Sequence, residues 1–240
     1  MTLADRFSNV FVAPGEVFES VRQGPPSTAS WLVPFLLLCL AAVVHVNVLF
    51  SLETTRHQVR EIQDRALDKK LGAMPAAQAD KVRQMVELFN QPALLKVTGS
   101  LGALLGQSAG FFLGALFLWL VGTRLLGGQF GYGAALEICG LSGLIGLLGS
   151  IMTTLLMVTF GNILATPGPI LCIGQIDPAN PWHQVLASIT VITFWQLAVA
   201  AVGLAKLSGA RFGRALGWIS IPWLLYRSGA ALIGWVASRL

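Results

Sequence analysis

Two serines lie in glycine settings that a nucleophile would use. Gly140-Leu-Ser142-Gly143 has the form GxSG, and Gly106-Gln-Ser108-Ala-Gly110 has the form GxSxG. A serine nucleophile needs a base within hydrogen-bond reach, and that base needs an orienting group. The chain offers His45, His57 and His183. At about 1.5 Å per residue, Ser142 sits roughly 12 Å deep from one face, while His183 starts a span at the other. His45 is nearer in depth but has no carboxylate placed to orient it. Glycine and serine also serve packing in membrane helices. Packing accounts for both motifs, and an intramembrane serine protease stays a second alternative.

A different chemistry needs polar groups that converge inside a bilayer. His45, Asn47, Gln107, Glu137, Gln196 and Arg227 interrupt otherwise apolar runs. Ionisable residues within a span are functional candidates by default. Arg227 lies roughly 18 Å from the inner end of its span, and Glu137 only about 5 Å into its own. A direct pair between them would need a helix broken at Pro222. Arg227 then snorkels, bonds backbone carbonyls, or meets a lipid headgroup or a partner helix. His45, Asn47, Gln107, Gln196 and Arg227 could line a midplane transport site for a small molecule or lipid, but no internal repeat accompanies them.

Enzyme signatures such as a P-loop, HExxH or paired glutamates are absent from the sequence. Cys39, Cys139 and Cys172 are far apart, and no CxxC exists. They read as small hydrophobes and not as metal ligands. No catalytic residue, cofactor or metal site is expected.

The elements that would hold these residues are helices in a membrane. Of 240 residues, 55% are hydrophobic and 11% charged, against about 25% charged in a soluble domain. The fold class is all-α: a polytopic five-span bundle with interfacial N-terminal helices and an extramembrane helical hairpin. The expected spans are 31–52, 96–124, 134–165, 183–207 and 215–237. The net charge of +5 is no argument for nucleic acid, because eight of the sixteen basic residues lie among acids between Arg56 and Lys96. No cleavable signal is expected, since some thirty mostly polar residues precede the first span. Leu36-Leu-Leu-Cys39 lacks the small residue of a lipoprotein box.

Residues 1–30 form an interfacial amphipathic segment. Leu3, Phe7, Val10 and Phe11 share one helical face, and Pro14 then opens a helix whose apolar side is Val17, Phe18 and Val21. This segment is either a folded collar or a docking site. Residues 53–95 leave the membrane as two amphipathic helices broken at Gly72-Ala-Met-Pro75. Val59, Ile62, Ala66 and Leu67 line the first, and Val82, Met85, Val86 and Phe89 the second. Those stripes cover each other, the bundle or a partner. Phe7, Phe11, Phe18, Val59, Ile62, Val82, Met85, Val86 and Phe89 are thus the candidate partner contacts.

Two glycine series are expected to position the spans. Gly102, Gly106, Gly110 and Gly114 recur at every fourth residue, and Gly140, Gly143, Gly146 and Gly149 at every third. Bare backbone along a helix lets a neighbour approach closely, a main source of cohesion where lipid competes for apolar contact. The first ladder reads as the seam on which the other spans assemble. The third span, at over thirty residues, must tilt or protrude.

Short loops place the N-terminus in the cytoplasm of an inner membrane. Arg124 and the cluster Lys206, Arg211 and Arg214 then fall inside, and 166–182 outside carries no Lys or Arg. The hairpin opposes this bias and is expected to cross as a folded unit.

Several stretches together resemble the Yip domain family, membrane proteins named for interaction with Ypt and Rab GTPases. They are Phe11-Val-Ala-Pro14-Gly-Glu-Val-Phe18, Pro25-Pro26 and Trp31-Leu-Val-Pro34, then Gly127-Gly128 followed by Phe130, Ala135 and Ile138. The stretch Val59 to Phe89 resembles the insert of bacterial five-span members. The resemblance implies a five-helix bundle without catalytic residues. Eukaryotic members act in vesicle traffic, and some bacterial members sit beside ABC exporters of the macrolide-exporter type. The function expected is that of a non-enzymatic accessory or scaffold subunit. Its partners would be membrane lipids and other integral membrane proteins, an ABC exporter permease and ATPase among them. A transporter or lipid-binding protein is the alternative.

Overall fold

A computed structural model describes the backbone of residues 1–72 and 74–239. Within its helices, the side chains of Ala66, Lys69, Lys70, Ala76, Ala77, Leu88, Phe89, 226–228 and 230–239 lie outside the description. The described residues form helices, turns and no strand.

The chain opens with α1 (Leu3–Asn9) and α2 (Pro14–Gln23). Thr2 caps α1 reciprocally with Asp5: its Oγ1 accepts from the Asp5 N–H, and its own N–H donates to Oδ2. Pro14 supplies the preset φ of a first helical position, and Gly24-Pro25-Pro26 ends α2. Val10, Val17 and Phe18 are fully buried. Burial of side chains this size contributes about 1.5–3 kcal/mol each. The segment is therefore a collar packed on the bundle, and Phe18 is not available as a partner contact. Gly203 makes room for it: a Cβ there would meet the Phe18 ring at 3.0 Å.

Helix α3 (Thr28–Ser51) leads from the collar to α4 (Glu53–Leu71) and α5 (Ala76–Phe89) at the opposite end. The return helix α6 (Pro92–Leu120) runs into a single π turn, Val121–Leu125. Gly127, at φ +76°, reverses the chain into α7 (Tyr132–Phe160). The expected third span, 134–165, is shorter than drawn. Gly161 takes a left-handed φ of +60° and stops the helix five residues early.

The expected fourth span, 183–207, is not continuous. It divides into α8 (Pro181–Ser188) and α9 (Val191–Ser208), with extended backbone at Ile189 and Thr190. Five consecutive β-branched residues, 189–193, weaken the helix there. The freed polar groups find local partners: Thr166 Oγ1 donates to the Ala187 carbonyl at 2.7 Å, and Thr190 caps the Thr193 N–H. The loop before α8 closes on this break at Gly168, where a Cβ would lie 2.1 Å from the Ile189 carbonyl oxygen.

Helix α10 (Phe212–Arg239) packs along α9 and reaches α8. Four helical stretches among the described residues are long and apolar enough to cross a membrane: Thr28–Ser51, Pro92–Leu125, Tyr132–Phe160 and Val191–Ser208. The protein is an integral membrane protein. Helix α7 lies at the centre, with α3, α6 and α9 around it.

Candidate membrane-embedded site

The glycines of α7 set the site's walls. A Cβ on Gly140 would stand 2.5 Å from the Trp31 Cα, and one on Gly143 would stand 2.9 Å from the Leu38 side chain. Those positions admit α3. On the other flank, a Cβ on Gly146 would meet Gln196 at 2.9 Å, and one on Gly149 would meet Ile192 at 2.7 Å. Those admit α9.

The seam thus lies elsewhere than the sequence places it. Among the described residues, nothing comes within 4 Å of a Cβ built on Gly102, Gly106 or Gly110, and all three are exposed. Gly114 alone of that ladder faces a neighbour, Cys139 at 3.6 Å. The buried side of α6 is instead Leu95, Phe111, Ala115 and Leu118. Spacing reveals a smooth ridge but not which way the ridge points.

Between α3, α6, α7 and α9 lies a cavity of about 320 Å³. Gln107 and Gln196 both face it, with Leu38, Ala42 and Phe111 as apolar wall. Neither glutamine amide hydrogen-bonds another described residue. An unpaired amide in an apolar medium costs several kcal/mol, up to about 8 against a solvent that cannot bond it. Gly146 is the middle residue of α7, so the cavity sits at mid-depth.

His45 and Asn47 do not join them. His45 Nδ1 lies 2.8 Å from Thr154 Oγ1. The Asn47 amide donates to the Val43 carbonyl and to Ser100 Oγ. Arg227, like Phe89, falls outside the described side chains. Among the described side chains, the midplane constellation therefore reduces to two glutamines.

Glu137 finds a partner that sequence reasoning missed. Arg6 Nη1 lies 3.2 Å from its Oε2, and Ser30 Oγ accepts from the same nitrogen at 3.1 Å. The Ser27 N–H donates to Glu137 Oε1 at 3.0 Å. Arg6 also donates to the Ser20 carbonyl, so one guanidinium ties α1, α2, α3 and α7 together. The available signals were a lone span carboxylate near the inner face and an arginine one residue past a capping box.

Among the described residues, neither serine motif has a hydrogen-bonded base. Ser142 is buried and donates to the Ile138 carbonyl of its own helix at 2.7 Å. His183 Nδ1 accepts from the Asp177 N–H.

The hairpin is fastened at its base. Gln58 Nε2 donates to the Gly161 carbonyl at 2.9 Å, and its Oε1 accepts from the Ile163 N–H at 3.0 Å. Arg83 pairs with Asp68, and Arg60 donates to the Asn90 carbonyl. Met85 remains 61% exposed, while Val59, Ile62, Val82 and Val86 are half-buried. Phe7 and Phe11 are half-buried against the core, Phe11 edge-on to Trp195.

The family model for the Yip1 domain matches residues 8–233, from the end of α1 into α10. The chain belongs to the Yip1 domain family. No curated protein and no solved structure matches it. The Yip1 family is not a known enzyme family, and with these apolar helices the membership fits an accessory role in a membrane.

Proposed function

We propose that this Yip1-family protein is a non-enzymatic accessory subunit that binds other integral membrane proteins through the outer face of α6. The observation that carries this reading is the bare ridge Gly102, Gly106 and Gly110. Nothing described covers it, and Leu101, Leu105 and Leu113 stand exposed beside it. A smooth strip flanked by large apolar side chains is what a second transmembrane helix packs against in lipid. The hairpin, with Met85 exposed, is a second contact surface outside the membrane. Helix α10 serves as a fifth span, which returns the chain to the hairpin side and leaves the collar in the cytoplasm of an inner membrane.

An ABC exporter of permease and ATPase is the partner proposed, on the analogy with bacterial members. The test is to tag the C-terminus, extract membranes in mild detergent and identify what copurifies. A stoichiometric permease with its ATPase supports the exporter role. Recovery of the chain with lipid alone refutes the accessory reading.

A further inference from the structure

The cavity at mid-membrane is not used by the accessory role. We infer that it binds an uncharged, hydroxyl-bearing lipid ester of the diacylglycerol type, taken from the bilayer.

The lining sets the chemistry. Gln107 and Gln196 each present two N–H donors and one carbonyl acceptor to the cavity. Neither amide is engaged by another described residue. A ligand that satisfies both must accept and donate. An ester carbonyl accepts, and a hydroxyl does both. Among the described residues, no Asp, Glu, Lys, Arg or His lines the cavity. A phosphate or ammonium group would sit there without a counter-charge, at a large desolvation cost. Charged headgroups and free ions are therefore excluded by the same wall that admits a neutral polar group.

Position sets the route. The cavity lies beside the middle residue of α7, below the level where a phospholipid headgroup rests. A neutral lipid can carry its polar end to that depth. The mouth is at Gly110, which lines the cavity and is itself exposed on the outside of α6. With no side chain there, the opening faces hydrocarbon and not water in the chain free of a partner helix, the form tested below. The volume, about 320 Å³, holds roughly ten waters at about 30 Å³ each. That suits a glycerol with its ester groups. The acyl chains stay in the bilayer, with Leu38 and Phe111 against their first carbons.

The test uses the full chain in phosphatidylcholine nanodiscs. One sample carries a trace of diacylglycerol with a diazirine next to the glycerol. A parallel sample carries phosphatidylcholine with the same diazirine. Crosslinked peptides are mapped by mass spectrometry. The expected result is that the diacylglycerol probe labels α6 around Gln107–Phe111 and α7 around Gly143–Ser150, and that unlabelled diacylglycerol competes it away. The double substitution Gln107→Leu with Gln196→Leu should weaken that competition by about tenfold or more, from the loss of at least one net hydrogen bond at each amide. Leu155→Ala, exposed on α7 and outside the cavity lining, should leave it unchanged. Equal labelling by the two probes, or unchanged competition in the double variant, overturns the inference. If the double variant does not fold, the wild type decides: labelling by the diacylglycerol probe that unlabelled diacylglycerol displaces, above that by the phosphatidylcholine probe, supports it, and equal labelling or no displacement overturns it.

Discussion

Arg6 reaches Glu137 across 131 residues of sequence, with Nη1 at 3.2 Å from Oε2. The pair is buried, and it joins the first helix of the collar to the central helix of the bundle. Removing one partner of a buried pair leaves the other charge uncompensated. Arg6→Met or Glu137→Leu alone should each cost about 3–5 kcal/mol. The two together should recover much of that loss, because an apolar replacement of both needs no desolvation. Thermal unfolding of the four proteins in one detergent measures the cycle. Additive losses would mean the two side chains do not depend on each other.

The two glycine series should respond in opposite ways to alanine. Gly140→Ala drives a methyl into the Trp31 backbone, and overpacking of this kind costs about 1–3 kcal/mol. Gly102→Ala meets nothing described and should be neutral or slightly stabilising, by up to about 1 kcal/mol from helix propensity. Unfolding midpoints in detergent give both values. A loss at Gly102 equal to that at Gly140 would contradict the arrangement.

The collar carries a second, exposed fastening at Glu19. Its carboxyl is held below the usual glutamate range, chiefly by the hydrogen bond from Arg22, with Gln23 and the Lys206 charge adding to it. A carboxyl depressed in the folded state stabilises above its unfolded value, and that support fades as pH falls through the folded value. Amide exchange in α2 should therefore rise below about pH 4, where an ordinary glutamate takes up its proton. The effect should be small, since the group is open to solvent. Glu19→Gln should remove that part of the pH dependence, and an identical profile in the variant would refute the assignment.

The hairpin should loosen without Gln58. Its amide makes two hydrogen bonds to the chain just past α7, each contributing about 0.5–1.5 kcal/mol. Gln58→Ala should speed proteolysis of α4 and α5 while leaving the bundle's unfolding midpoint nearly unchanged. A large fall in that midpoint would mean that Gln58 supports the bundle and not only the hairpin.

Much of the fold is legible in the sequence because hydrophobic run length and proline–glycine punctuation act locally. Pro14, Gly24 and Pro92 mark helix ends where local rules put them. What local patterns do not carry is rotation and contact. The ladder of Gly102, Gly106 and Gly110 is visible as a ridge, yet only packing decides that α6 turns it outward. The break at Ile189 and Thr190 depends on Pro167–Gly168 closing over it from a distant turn. The Arg6–Glu137 pair is invisible to any window shorter than the bundle. At the site, Gln107 and Gln196 stand out as polar residues in apolar runs. Their convergence, and the withdrawal of His45 and Asn47 into other bonds, needs the three-dimensional arrangement.

A partner membrane protein on the outer face of α6 can be caught directly. A photoreactive amino acid placed singly at positions 102, 106 and 110, and at the cavity-wall position 38 of α3 as a control, tests it in native membranes. The expected result is a discrete protein adduct of one mass from the three ridge positions, and no protein adduct from the control. Adducts with lipid alone at all four positions would contradict it.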